Sequence, residues 1–274
     1  MLPNEASKAT VRGKMRGKNL TVLDRSVVVI VDSPDDTASR RQGASQSVER
    51  LHRMHGTSLI WESSQLLQVG ASTFASACII FHRFFNQYSL MEYDVWSVAM
   101  ASTLLASKIE EEPHAFKTLI NVYSFVYRKR IIATEIGEKQ IMSVLEHPSI
   151  AYLDLAKSSS IKDKLSLLKS APLPSPLGPV REEWHKQIFE MEQIMLRHLG
   201  FTLFWIPDSH PHKFILYFCR VLEIDDSKFT QRAWNFCNDS CRLDLCVRFA
   251  SEVIVSDHIQ QKLHRAPTSS PLSL

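Results

Sequence analysis

Behind Asp94 runs a stretch, Val95 to Ser107, with hardly a polar break. A surface helix keeps one apolar stripe, whereas a helix apolar on all sides has to be buried on all sides. Ala99, Ala101, Ala106 and the interleaved serines are small enough to let neighbouring helices approach closely. The run is therefore expected to be the central helix of a bundle, and the rest of the chain must supply its walls. Lys108 and the acidic triplet Glu110, Glu111 and Glu112 follow, and Pro113 ends the helix.

The walls are legible on either side. Helical spacing begins near Ser47 and shows in Leu59, Ile60, Leu66 and Leu67. Ser72 to Phe85 places Phe74, Cys78, Phe81 and Phe85 at steps of three and four. Phe116 to Val126 does the same with Leu119, Ile120, Tyr123 and Val126. Pro179 suits a helix first turn, and Trp184, Ile188, Met191, Met195 and Leu199 mark one face before a capping Gly200. Two further helices are expected, from Ser209 and Pro211 to Leu222 and from Ser227 to about Cys241. No alternating strand pattern persists, and eight glycines are few for a strand-rich fold. The expected fold is all-α: a five-helix bundle, then a partial second bundle. The expected division is a polar and basic tail over 1–45, a first bundle over 46–203 with a surface insertion at 132–178, an incomplete second bundle over 204–256, and a tail over 257–274.

Composition excludes several classes. A net charge of +3 with 22% charged residues gives no mandate for nucleic acid or a membrane surface. No segment approaches the roughly 20 apolar residues of a spanning helix. Five cysteines without framework spacing point to a reducing compartment. The Gly13 to Asn19 stretch is one residue short of a phosphate loop and has Asn19 where Ser or Thr should hold magnesium. His210 and His212 have no Cys or carboxylate cluster to complete a metal site, and Cys237, Cys241 and Cys246 read as buried helix residues. Nothing joins a serine to a His and carboxylate set.

Two charges stand out. Lys108 sits where the buried helix ends, and Glu192 interrupts an apolar face formed by Ile188, Phe189, Met195 and Leu196. A carboxylate there needs a partner or an exposed edge. Either the two pair within the chain and tie two helices together, or both emerge on one surface and meet another protein.

Val98 to Pro113 resembles the signature of the cyclin box. Leu66 to Ala77 with Phe81 to Phe85 resembles the second helix and its lead-in, Tyr93 to Trp96 the start of the third, Ile120 to Val122 part of the fourth, and Glu190 to Phe201 the fifth and its exit. His210 to Ile215, Tyr217, Val221 to Glu223, Ala233 to Asn235, Asn238 to Ser240 and Val247 to Phe249 resemble transcriptional cyclins, the L type most of all. The resemblance implies a nuclear regulatory subunit that binds and allosterically activates a cyclin-dependent serine/threonine kinase, in RNA polymerase II transcription and pre-mRNA processing. It implies kinase contacts at Lys108 and Glu192, with Leu105 and Glu111 beside them. Transcription or splicing machinery would be further partners. No catalytic residue, cofactor or metal is expected, since ATP and magnesium belong to the kinase, and no direct nucleic-acid or membrane contact. The alternatives are a promoter scaffold like the initiation factor TFIIB, for which the N-terminal region lacks the Cys pairs of a zinc ribbon, and a shortened, non-activating cyclin. The second bundle is expected to stop short, because the chain turns polar after Ile254, and the Arg/Ser-rich tail of the L type is missing.

Overall fold

The computed structural model of the chain describes residues 20–23, 28–31, 35–134, 179–201, 203–207 and 210–265. A two-stranded antiparallel hairpin, β1 (Leu20–Leu23) and β2 (Val28–Val31), and a short helix, α1 (Ala38–Arg41), come first. The first bundle comprises α2 (Gln46–Leu67), α3 (Ala71–Gln87), α4 (Val95–Ile109), α5 (Phe116–Thr134) and α6 (Pro179–His198). The second comprises α7 (His212–Val221), α8 (Ser227–Ser240), α9 (Leu245–Arg248) and α10 (Ser251–Arg265).

The central helix is where its composition requires. Every residue of α4 from Val98 to Ser107 is buried, with α2, α3 and α6 packed around it. Asp94 starts it by accepting the Ser97 N–H at 2.9 Å. Its hydroxyls are satisfied locally, Ser102 by the Val98 carbonyl and Thr103 by that of Ala99, so they bury at little cost. The Tyr123 hydroxyl of α5 lies 2.7 Å from that of Thr103 and donates to the Ala99 carbonyl.

Both ends of α3 are held by charges from other elements. At its N-terminus Glu112 accepts the Gly70 N–H at 2.9 Å and the Thr73 hydroxyl at 2.6 Å, while Glu110 accepts the Ser76 hydroxyl. An anion there complements the helix dipole. At the C-terminal end, the buried Arg53 of α2 donates to the Phe85 and His82 carbonyls at 2.7 and 2.9 Å. Its remaining donors go to Glu49, whose other oxygen takes Thr37 and Arg40. A buried ion pair is tolerable when its leftover hydrogen bonds are made in this way.

The observed helices differ from the expected ones in four places. The hairpin and α1 fall within the segment read as a tail; four-residue strands and a single turn are too short to show a period. The α4 helix ends at Ile109, before Pro113, because Glu111 takes a left-handed φ of 59°. The α5 helix continues to Thr134, and the rest of the expected insertion, 135–178, lies outside the described residues. Past Glu252 the chain continues as α10 to Arg265, within the segment read as a tail: Val255 and Ile259 bury against Ile215, Cys219 and Phe229, a stripe too sparse to stand out in the sequence.

The α2–α3 crossing is tight at Gly56, where a Cβ would lie 2.0 Å from the buried Phe81 ring. An exposed helical glycine gains about 1 kcal/mol on change to alanine; here overpacking costs about 1–3 kcal/mol. Gly56→Ala is expected to destabilise the chain in urea unfolding, and a gain in stability would contradict the crossing.

Burial lowers the pKa of His55, His82 and His198 to about 4 each. The unfolded chain takes up these protons first as pH falls below the ordinary histidine value of about 6.5. Stability is thus full above that value and declines as pH drops toward 4. Unfolding midpoints measured across this window should fall, and His198→Asn should flatten the fall.

Candidate functional site

The α4 helix leaves the core at its last turn. Ser107 is buried, and the Lys108 side chain one residue on is 45% exposed. A cation there faces the negative end of the helix dipole. Its Nζ lies 2.5 Å from Glu192 Oε1 of α6 and 5.6 Å from the centre of the Phe116 ring at the start of α5. Lys108 therefore joins three helices. Glu192 itself is buried on the apolar face of α6. Of the two readings open from sequence, the intramolecular pair is present, and it leaves the lysine half in solvent.

A groove of about 450 Å³ surrounds this pair. Leu105, Ile109 and Leu196 form its floor, and Leu203, Phe204 and Pro207 come from the segment after α6. Local sequence explains how that segment turns back. Gly200 and Phe201 both take positive φ, 61° and 56°, and their N–H groups return to Arg197 and Leu196. This closes α6 in a Schellman arrangement. Trp205 and Ile206 then bury, and the Arg83 guanidinium lies 4.3 Å from the Trp205 ring. Burial lowers the Arg83 pKa to about 10. Anchored there, the segment leaves Phe204 68% exposed at the rim. Phe189 of α6 and Phe201 at its exit are also exposed. Exposed apolar side chains thus lie around a charged pair in this groove.

Three of the four residues singled out from sequence, Lys108, Glu192 and Leu105, come together in the groove. Glu111 does not line it. It is exposed on the left-handed turn after α4, while its neighbours Glu110 and Glu112 take the bonds to α3. Sequence reasoning missed Leu203, Phe204 and Pro207, and the Arg83–Trp205 brace. The available signal was the aromatic density of Phe201, Phe204 and Trp205 in a segment too short for a helix.

The other residues weighed from sequence serve the core. His212 Nε2 lies 2.9 Å from Asn238 Oδ1, and His210 and His212 rings are 6.0 Å apart. Among the described residues no group of three His, Cys, Asp or Glu side chains could hold a metal ion. Cys78, Cys237 and Cys241 are buried free thiols, and burial pushes the Cys237 and Cys246 pKa up to about 12. None of the described helices is long and apolar enough to cross a membrane.

Among the described residues, a first bundle of five helices followed by a smaller helical bundle has the architecture of a cyclin-type fold. Residues 32–148 match the cyclin N-terminal domain. The chain is similar to cyclin-L1-1 of Oryza sativa subsp. japonica, 33% identical over 80% of this chain and 42% of that one. It is 30% identical to mouse cyclin-L2 over 81% of this chain and 36% of that one. Human cyclin-L1 is 31% identical over 80% of this chain and 34% of that one. The chain thus carries a match to the cyclin N-terminal domain and is similar to L-type cyclins over most of its length. It spans less than half the length of these relatives. The crystal structure of the yeast RNA Pol II CTD kinase CTDK-1 complex contains a chain of the same fold, with a TM-score of 0.56 and 13% identity over 83% of this chain and 59% of that one.

An exposed ion pair contributes about 0–1 kcal/mol. Glu192 is buried, so removing its partner leaves an uncompensated carboxylate, which costs about 3–5 kcal/mol when burial is complete. Lys108→Ala is expected to lower unfolding stability by about 2 kcal/mol, and the exchanged pair Lys108→Glu with Glu192→Lys to recover much of it. Additive losses in that double-mutant cycle would show that the two charges do not interact.

Proposed function

We propose that the chain is a regulatory subunit that binds a cyclin-dependent serine/threonine kinase through this groove and activates it allosterically. The observation that carries the reading is the half-exposed Lys108, held by buried Glu192 amid Leu105, Leu196, Leu203 and Phe204. Glu111, exposed on the next turn, belongs to the proposed face as a rim carboxylate. Similarity to L-type cyclins, and a fold shared with a chain of a polymerase CTD kinase complex, support the assignment. By the same similarity the chain acts in the nucleus, in RNA polymerase II transcription and pre-mRNA processing, with transcription or splicing machinery as further partners and no chemistry of its own.

The mechanism is a population shift. A kinase alone samples arrangements in which its catalytic parts are displaced, and a partner that prefers the active arrangement draws the population there. Moving an equilibrium from about 1:99 to 99:1 takes roughly 5.5 kcal/mol of differential affinity. The Lys108–Glu192 pair cannot supply that at a half-exposed position. The apolar side chains of the groove must supply most of it. A second reading, a cyclin that binds without activating, rests on the second repeat, where Leu216, Tyr217, Val221 and Leu222 of α7 and its exit stay exposed.

Purified cyclin-dependent kinases, each mixed with the full chain and a serine/threonine substrate peptide, provide the test. One kinase is expected to gain activity at least tenfold, and Phe204→Asp, a change at an exposed position, should abolish the gain. Activation that survives Phe204→Asp would overturn the groove assignment. Capture of a kinase without activation would favour the second reading.

A further inference from the structure

Where the connection between α8 and α9 crosses the start of α2, the chain forms a pocket of about 360 Å³ that shares no residue with the groove. Arg40, Arg50, Arg53, Arg242 and Arg248 line it against Asp35, Glu49 and Asp244, an excess of two positive charges. Glu49 is fully engaged on the inner wall between Arg40 and Arg53, and Asp244 holds Arg248. Arg50 is exposed and has no carboxylate partner among the described residues. One anion of the chain already lies among these arginines. The Asp35 carboxylate is 2.9 Å from Arg248 and 3.2 Å from Arg40, yet its side chain is 66% exposed. It occupies the mouth of the pocket without filling it.

We propose that this pocket binds the phosphate of a phosphoserine or phosphothreonine on a partner peptide, with Arg50 and Arg242 closing on it and Asp35 giving up its place. A phosphomonoester carries a charge of about −1.5 to −2 at neutral pH, which matches the excess, whereas a peptide carboxylate neutralises half of it. Guanidinium forks suit phosphate oxygens in bidentate geometry, and arginines from α1, α2, the α8–α9 connection and α9 can reach one group from several sides. A nucleic-acid backbone needs an extended positive stripe. Here carboxylates interrupt the positive wall, and the space is that of a single pocket, which favours one isolated phosphate.

A Gly/Ala-flanked peptide with one phosphoserine, titrated calorimetrically into the full chain at fixed ionic strength with its unphosphorylated twin as blank, tests this. Saturable one-to-one binding is expected. Arg50→Gln with Arg242→Gln should weaken it at least tenfold, with folding checked by circular dichroism. Asp35→Asn removes the competing carboxylate and should tighten it several-fold. Lys213→Gln, which neutralises an exposed lysine of the second repeat, should change it less than twofold. Absence of saturation, or equal losses in the Arg50/Arg242 and Lys213 variants, would overturn the proposal. So would affinity for a single-stranded oligonucleotide that grows with length and disappears in the arginine double variant, which would give the pocket to nucleic acid.

Discussion

The complete burial of α4 is the constraint on which the first bundle depends. A helix covered on every face from Val98 to Ser107 fixes the positions of α2, α3 and α6 around it. It also fixes where the helix can end. The first residue past the covering walls is Lys108, so the core itself decides which side chain is presented to solvent and in what direction. Glu192 is aimed at it by the same packing, because Ile188, Met191 and Met195 of α6 are buried against the core around it. The site is thus a consequence of the bundle's geometry and needs no separate scaffold.

Charge completes what apolar packing begins. The α3 helix is clamped between Glu112 and Glu110 at its start and Arg53 at its end. These groups lie on the turn after α4 and on α2, so the ion and hydrogen-bond pattern fixes the register between helices that hydrophobic contact alone leaves loose. Arg53 and Glu49 then pass the connection to Thr37 and Arg40, tying the N-terminal segment to the bundle. Thr57 and His82 meet the backbone of Arg242 and Cys241, which seats the second repeat against the first.

The first bundle was legible because long periodic helices announce themselves. Asp94 as a start, Pro179 at a first turn and Gly200 as a cap all stand where local chemistry puts them. The acidic triplet was legible only as a group: nothing in a linear sequence shows that Glu110 and Glu112 turn inward to α3 while Glu111 takes a left-handed turn and faces out. Leu203, Phe204 and Pro207 were hidden for a similar reason, since their place over the groove follows from the Gly200–Phe201 reversal and the Trp205 anchor rather than from any period. The arginine pocket gathers residues from positions 35 to 248, and such a gathering is visible only in three dimensions.

The central claim is that Lys108 and Glu192 both hold the bundle together and present the proposed kinase-binding face. Exchanging the two charges, Lys108→Glu with Glu192→Lys, separates the roles, because it keeps an internal pair while inverting the charge shown to a partner. The most direct measurement is the affinity of this double variant for the kinase that the wild-type chain is proposed to activate, taken alongside its thermal unfolding. The account predicts an unfolding midpoint near that of the wild type and kinase affinity lowered at least tenfold. Near-wild-type stability with unchanged kinase affinity would contradict it and leave the pair a purely internal brace.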